Sequence, residues 1–482
     1  MVFSSLVFLF VFLPLALAAY FLAPRKSARN LVLVLMSLLF YAWGEGGFVF
    51  FLLALVGANY AIALAMRRLP KSRGRKAIFI AGITLNVVVL LLFKYSAFFV
   101  ANMNVLLAKL SVRAIHYNAH RLRFRLGISF FTFHELSYLI DVYRGTAPAE
   151  TNPIDSVLYI LLFPQLIAGP IVRYHQIAAQ IKERTVGSED FVAGIRRFIV
   201  GLGKKCLIGN NLGRPVDLIF AYSPDLTRAM AWYGALLYGL QIYFDFSGYS
   251  DMAIGLARMF GFRFPENFNY PYVSRSITEF WARWHISLST WFRDYLYIPL
   301  LVRTRYTLLK DCLCIVLVFL LCGFWHGASW SFVAWGLYYG VFLAIERAGL
   351  SRLLNRIGPL AHLYALAVIM AGWVLFRAKD LAAARIYLRL MFGHNTLTAM
   401  NPYVLHYCAN SEVLAIVAVG LLACLPIIPW IREHEKTIGP ALPRPLVFGW
   451  QSASFVALAA IAVFSVASLA SGTYNPFIYF QF

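Results

Sequence analysis

Between Asp311 and Glu346 the chain runs 34 residues without a formally charged side chain, and near the middle stands Gly323-Phe-Trp-His326-Gly327. As one straight helix such a run would measure about 50 Å, against a bilayer hydrocarbon core of about 30 Å. It therefore has to break or turn, and the glycines on either side of His326 are the expected place. Non-helical backbone at membrane depth survives only inside protein or along a wet cavity, because its N–H and C=O groups need partners. The one imidazole of the run is thus expected at an irregular, partly hydrated point in the membrane, a setting suited to chemistry.

The rest of the chain fits an all-α polytopic membrane protein. Hydrophobic residues make up 61% and charged residues 13% of the 482, too few charges to cover a soluble surface of this size. The net charge of +22 sits in short basic blocks between apolar runs, which suits loops at anionic lipid headgroups rather than nucleic acid. A first apolar span over residues 3–22 lacks a basic leader and is followed by Arg25, Lys26 and Arg29, so it reads as an uncleaved helix. A short span at 30–43, the turn Gly44-Glu-Gly-Gly47 and a span to Ala65 lead to a block at 67–76 with six basic residues in ten. Both basic loops then share one side, which places the N-terminus on the other.

Further apolar runs predict about ten to thirteen spanning helices, with interfacial and re-entrant helices beside them, in one integral domain over 1–482. The segment Ser276–Tyr297 is expected to lie at the membrane surface. On a helical wheel its Phe and Trp residues gather on one side, with Glu279, Arg283 and Arg293 on the other. Glu279 and Arg283 are spaced to pair, and His285 falls between the two faces.

Four places can carry chemistry. His326 comes first, because ionisable groups inside a membrane are costly and tend to be functional, and a neutral imidazole can take a proton from a hydroxyl. The alternative is a histidine simply hydrogen-bonded within the bundle. Second, Tyr243-Phe-Asp245-Phe-Ser247-Gly-Tyr249-Ser-Asp251 puts two carboxylates into an apolar run, either as a polar lining or as a network holding helices together. Third, Phe163-Pro to Gly169-Pro170, ending at Arg173, cannot be one helix and suits a re-entrant loop with a cation at its mouth. Fourth, Gly127 to Glu135, with His134, reads as a further amphipathic segment. Cys322 lies four residues before His326 and is read as a small buried hydrophobe rather than an acyl carrier. No cysteine pairing and no metal-ligand spacing is present in the sequence, so neither a disulfide framework nor a metal is expected.

At these residues the chain resembles the membrane-bound O-acyltransferase superfamily, in particular its alginate O-acetyltransferase and D-alanyl-transfer subgroup. The resemblance is carried by Gly127-Ile-Ser-Phe, Phe163-Pro to Gly169-Pro170, and Tyr243-Phe-Asp-Phe-Ser-Gly-Tyr-Ser-Asp. It continues through Ser276-Ile-Thr-Glu-Phe-Trp-Ala-Arg-Trp-His285, Arg293-Asp-Tyr-Leu-Tyr and Phe324-Trp-His326-Gly, with the chain's opening Met1–Ser5 and closing Pro476–Phe482. The signature core spans residues 120–346. After Tyr297-Ile-Pro the chain departs from the Gly-Gly-Asn-Arg turn common in such proteins.

The resemblance implies a helical bundle around a central tunnel, with His326 and His285 as catalytic residues. Asp245, Ser247, Tyr249, Asp251, Trp325, Trp284, Arg283 and Arg173 are expected to bind substrate or line the tunnel. It implies no bound cofactor, acetyl-CoA or another acyl thioester as donor, a periplasmic acyltransferase partner and a polysaccharide synthesis or secretion complex, in a bacterial inner membrane. A transporter or flippase using His326 and the carboxylates as a proton relay is the rival from another class, and a non-catalytic scaffold is a third. The lack of an internal repeat weighs against the transporter.

Overall fold

A computed structural model describes residues 1–117, 125–221, 226–302, 305–393, 402–438 and 444–472, with side chains throughout except at 432, 435–438 and 444–448. The closing Pro476–Phe482 motif, part of the divergent turn after Pro299, and His120 and His394 lie outside the described residues. Helices and their connections make up everything described, and no strand occurs among them.

The first two long helices, α1 (Lys26–Glu45) and α2 (Phe48–Arg68), bracket the glycine turn as expected. Next, α3 (Arg73–Lys109) runs 37 residues from the second basic block, with a π-helical turn at Leu91–Tyr95. Then come α4 (Ile128–Arg144), α5 (Ser188–Gly203), the 32-residue α6 (Arg228–Met259), and the short α7 (Ile277–Arg283) and α8 (Ile286–Phe292). The uncharged run forms α9 (Leu308–His326) and α10 (Trp330–Ile345), and α11 (Ala361–Arg377) follows.

Length and composition single out six described helical stretches able to cross a membrane, or seven when the bent pair Pro402–Cys408 and Ser411–Ala423 is taken as one. Other runs behind the expected ten to thirteen form shorter or polar-bearing helices, such as Phe8–Leu22 and α6 with its two aspartates.

The uncharged run breaks where expected, but only one of the two glycines makes the break. Helix α9 ends at His326, and Gly327 is extended (φ −164°, ψ 149°). Gly323 stays helical and serves close packing instead. A Cβ there would stand 2.3 Å from the Phe332 carbonyl oxygen and 2.8 Å from Gly336 Cα, so α9 and α10 cross with their backbones almost touching. Helices α5 and α6 meet the same way, through Gly194 against Gly255 and Gly201 against Gly248.

Two expectations about surface segments are corrected. The aromatic face of 276–297 packs against protein: Trp281 is edge-on to Trp335 and Tyr339, and Trp284 lies against Trp373. Apolar periodicity reports that a face avoids water, and lipid and protein satisfy it equally. The segment is also not one helix, since His285 breaks it with a left-handed backbone (φ 44°, ψ 53°). Helix α4, read as amphipathic, is buried on every side from Ile128 to Leu139.

The re-entrant reading of 163–174 holds in its backbone. A four-residue helical turn at Phe163–Leu166 is followed by non-helical chain to Arg173, buried as far as Val172. Its polar groups are met by protein, as membrane depth demands: Phe163 N–H donates to Ser37 Oγ at 3.0 Å, Ile171 N–H to Ser287 Oγ at 3.0 Å, and the Tyr159 hydroxyl to the Val172 carbonyl at 3.1 Å.

Candidate active site

The centre of the molecule is set by the end of α9. Its last carbonyls lack partners along the helix, and the negative end of the helix dipole points the same way. Lys94, on α3, answers both needs. Its ammonium donates to the carbonyls of Trp325 and His326 (3.2 Å to the latter) and to Ser129 Oγ at 3.1 Å, and lies 5.4 Å from the centre of the Trp325 ring. The Tyr95 hydroxyl donates to the Phe324 carbonyl at 2.8 Å, one residue further back. Lys94 was missed in the sequence, although it is the only formal charge between Lys76 and Lys109, the kind of solitary intramembrane cation that merits notice.

The His326 ring is walled by aromatic edges: Trp325 at 4.9 Å, Trp335 at 5.1 Å and Phe376 at 5.3 Å between ring centres. It retains 8% of its surface, and its electrostatic neighbours are His285 and Lys94. The two motif histidines, 41 residues apart in sequence, are therefore brought into one site.

His285 is held by Asn267. The Asn267 Oδ1 accepts from the Ser287 backbone N–H (3.2 Å) and the Ser287 hydroxyl (2.8 Å), so oxygen rather than nitrogen faces the imidazole. His285 Nδ1, 3.1 Å from that oxygen, must then be the donor, which leaves the lone pair on Nε2. Nε2 is buried and has no hydrogen-bond partner among the described residues. Its left-handed backbone is uncommon for a residue with a Cβ and belongs to the kind of strain that collects at functional sites. Asn267 also donates to Ser250 Oγ at 2.9 Å, tying the arrangement to α6.

A cavity of about 550 Å³ lies between α7–α8 and the α9–α10 hairpin; neither histidine lines it, but Cys322, one helical turn before His326, does. Its mouth carries Arg293, Arg347, Ser276 and Thr278, and its inner end is formed by Trp281 and Cys322. The mouth lies on the face of the basic loops. Arg75, from the second basic block, donates to the Val142 and Tyr143 carbonyls, and Arg144 at the end of the same helix donates to the Asp294 carbonyl. From Asp311 at that face, 15 helical residues or about 22 Å lead to His326, well into a bilayer-sized slab. Arg173 and Arg293 both bind the Asp294 carboxylate, and the latter's bond to Asp294 raises the Arg293 pKa above its ordinary value.

Of the other predicted site residues, Trp325 stands against the His326 ring, and the carboxylates and arginines fall elsewhere. Asp245 is ion-paired with Lys205, their side chains 3% and 1% exposed, and Asp251 with Arg197 (2.6 Å) and Lys204 (2.7 Å). Both carboxylates bolt α6 to α5 and the π-helical turn Lys204–Gly209 behind it, and neither lines the cavity. Ser247 and Tyr249 are buried on the same helix, with Tyr249 stacked at 4.6 Å on Phe3. Trp325 stacks on Phe133, which also stacks on Trp291, while Trp284 packs on Trp373 and Phe268. Arg283 pairs with Glu279 at 3.0 Å, as its spacing predicted. Arg173 is spent on Asp294 rather than left open for an anion.

Comparison with known proteins identifies the family. Residues 82–364 match the membrane-bound O-acyltransferase family. The probable alginate O-acetylase AlgI of Azotobacter vinelandii is 40% identical over 505 residues, covering 100% of both chains. The peptidoglycan O-acetyltransferase of Helicobacter pylori is 36% identical, covering 82% of this chain and 80% of that protein. The teichoic acid D-alanyltransferase of Bacillus subtilis is 31% identical over 47% of this chain and 60% of its own. The chain belongs to the membrane-bound O-acyltransferase family and is a multi-pass membrane acyltransferase.

Proposed function

We propose that this protein transfers acetyl groups from a cytosolic thioester, acetyl-CoA, toward O-acetylation of an exopolysaccharide such as alginate or cellulose. It would work in a bacterial inner membrane with a periplasmic acyltransferase partner. The observation that carries the reading is His326 with His285, its Nε2 left unbonded, as an electrostatic neighbour, one helical turn beyond the inner end of a cavity that opens on the basic face. Full-length similarity to proteins named as alginate O-acetylases supports acetyl as the group and an exopolysaccharide as its destination.

In this mechanism the donor's thioester end rises through the cavity while its anionic end stays at the mouth, on the face of the basic loops. His326 accepts the proton of the incoming hydroxyl, the oxygen attacks the acyl carbon, and the proton passes to the departing thiolate. His285, fixed as the Nδ1–H tautomer, aligns the reactants through Nε2. The aromatic wall excludes water, so that transfer competes with hydrolysis. The ion-paired state of Asp245 and Asp251 favours a bracing role over the proton relay that a transporter would need.

The test is transfer of label from acetyl-CoA to alginate or to the partner by the purified protein in proteoliposomes. His326→Ala is expected to abolish transfer while preserving monodisperse elution. Normal transfer by that variant removes His326 from the mechanism.

A further inference from the structure

Three tryptophans have a fully buried indole N–H without a hydrogen-bond partner among the described residues: Trp281, Trp325 and Trp335. They are 6%, 5% and 1% exposed. Other indoles find partners: Trp373 donates to the Tyr272 hydroxyl at 3.1 Å, Trp291 to the Phe133 carbonyl at 3.2 Å and Trp232 to the Met391 carbonyl at 3.0 Å. Native structures rarely leave buried donors unmet, and those left open call for a reason. Two of the three exceptions here, Trp325 and Trp335, stand against the His326 ring, and the third, Trp281, touches Trp335.

Two of them stand at the boundary a donor must cross. Trp281 lines the inner end of the cavity beside Cys322. Trp335 is edge-on to Trp281 (5.6 Å, 83°) and edge-on in turn to His326 (5.1 Å, 83°). An acyl thioester reaching from the cavity to His326 passes these two indoles. Neither Trp335 nor Trp325 lines the cavity itself, but Trp335 touches Trp281, which does, whereas Trp325 stacks on Phe133 at 5.0 Å with the Lys94 ammonium near its ring.

We propose that the indole N–H groups of Trp281 and Trp335 are the donors that hold the acyl carbonyl oxygen as it becomes negative during transfer. The proposal deepens the acetyl-transfer reading and rests on it. As the acceptor oxygen bonds to the acyl carbon, its proton goes to His326 and the C=O π pair moves onto the carbonyl oxygen. That oxyanion receives hydrogen bonds from the two indoles. When the C=O bond re-forms, the C–S bond breaks, and the thiolate leaves with the proton from the imidazolium. Donors fixed in advance in a dry site stabilise such charge without reorganising, which makes this kind of contact a large part of catalysis.

The test replaces Trp281 and Trp335 singly by β-(3-benzothienyl)alanine, which keeps the two-ring shape and exchanges N–H for sulfur. Trp281→Phe and Trp335→Phe serve as genetically simple companions. With labelled acetyl-CoA and alginate in proteoliposomes, each isostere is expected to lower kcat on the order of 10²–10³-fold, the loss seen when one oxyanion donor is removed. KM for acetyl-CoA should stay within about threefold and the thermal midpoint should not move, whereas the same exchange at Trp43, an exposed indole on α1, leaves kcat near wild type. Wild-type turnover by the Trp281 and Trp335 isosteres, a change in KM alone, or an equal loss at Trp43 overturns the assignment. His326→Ala, run alongside, separates the two levels. If it is inactive while the isosteres work normally, only the donor assignment falls; if it transfers normally, the underlying mechanism falls.

Discussion

Lys205→Met, Asp245→Leu and their combination test whether the buried carboxylate of α6 braces the fold or works in the reaction. Lys205 and Asp245 have side chains 1% and 3% exposed, and Gly209 of the same π-helical turn packs so close that a Cβ would sit 3.0 Å from the Asp245 nitrogen. Neither charge can turn to water, so removing one partner strands the other. Loss of one member of a buried pair costs about 3–5 kcal/mol, a shift of roughly 10²–10⁴-fold in the folding equilibrium. Replacing both with apolar side chains of similar volume removes the desolvation cost with the attraction, and the double variant is expected within about 2 kcal/mol of wild type. The assay is the fraction of protein eluting as a single species after graded heating in detergent, followed by labelled acetyl transfer on what remains folded. Both single variants should collapse early, and the double variant should recover both stability and transfer. A double variant that is well folded but inactive would refute the bracing argument and return Asp245 to the reaction path.

The remaining predictions concern the site and the hairpin that builds it. Lys94→Met removes the ammonium from the end of α9 and should lower kcat on the order of 10–100-fold through misplacement of His326, with Lys94→Arg recovering part of it, as steady-state kinetics can check. His285→Ala and His285→Gly should both lose transfer. The glycine variant should be the more stable by roughly 1 kcal/mol in thermal melts, because position 285 has φ 44°, where glycine alone is unstrained. Gly323→Ala should destabilise by about 1–3 kcal/mol, since its Cβ meets backbone that cannot rotate aside, whereas Gly57→Ala, with nothing within 4 Å, should be neutral or slightly stabilising.

Much of the fold was legible because a bilayer restricts the options so strongly. Length against membrane thickness required the break beside His326, and the two basic blocks gave α1, α2 and the start of α3 a common side. The pairing of Glu279 with Arg283 followed from helical spacing alone. What periodicity could not supply was the identity of the apolar partner, so the aromatic face of 276–297 was read as lipid-facing when it meets α10 and α11. The kink at His285 was also hidden, since a left-handed residue without glycine has no local signal.

The sequence by itself determined that His326 sits at an interruption within the membrane and that charged groups elsewhere in apolar runs need partners, because desolvation penalises both broken helices and lone charges wherever they occur. Only the tertiary structure decided which partners those are. It sent Asp245 to Lys205 and Asp251 to Arg197 and Lys204, and it brought Lys94 to the end of α9 and His285 to His326, with the unbonded indoles of Trp325 and Trp335 against the His326 ring. Such pairings join residues tens to hundreds of positions apart, and their energies depend on contacts that exist only after the helices have packed.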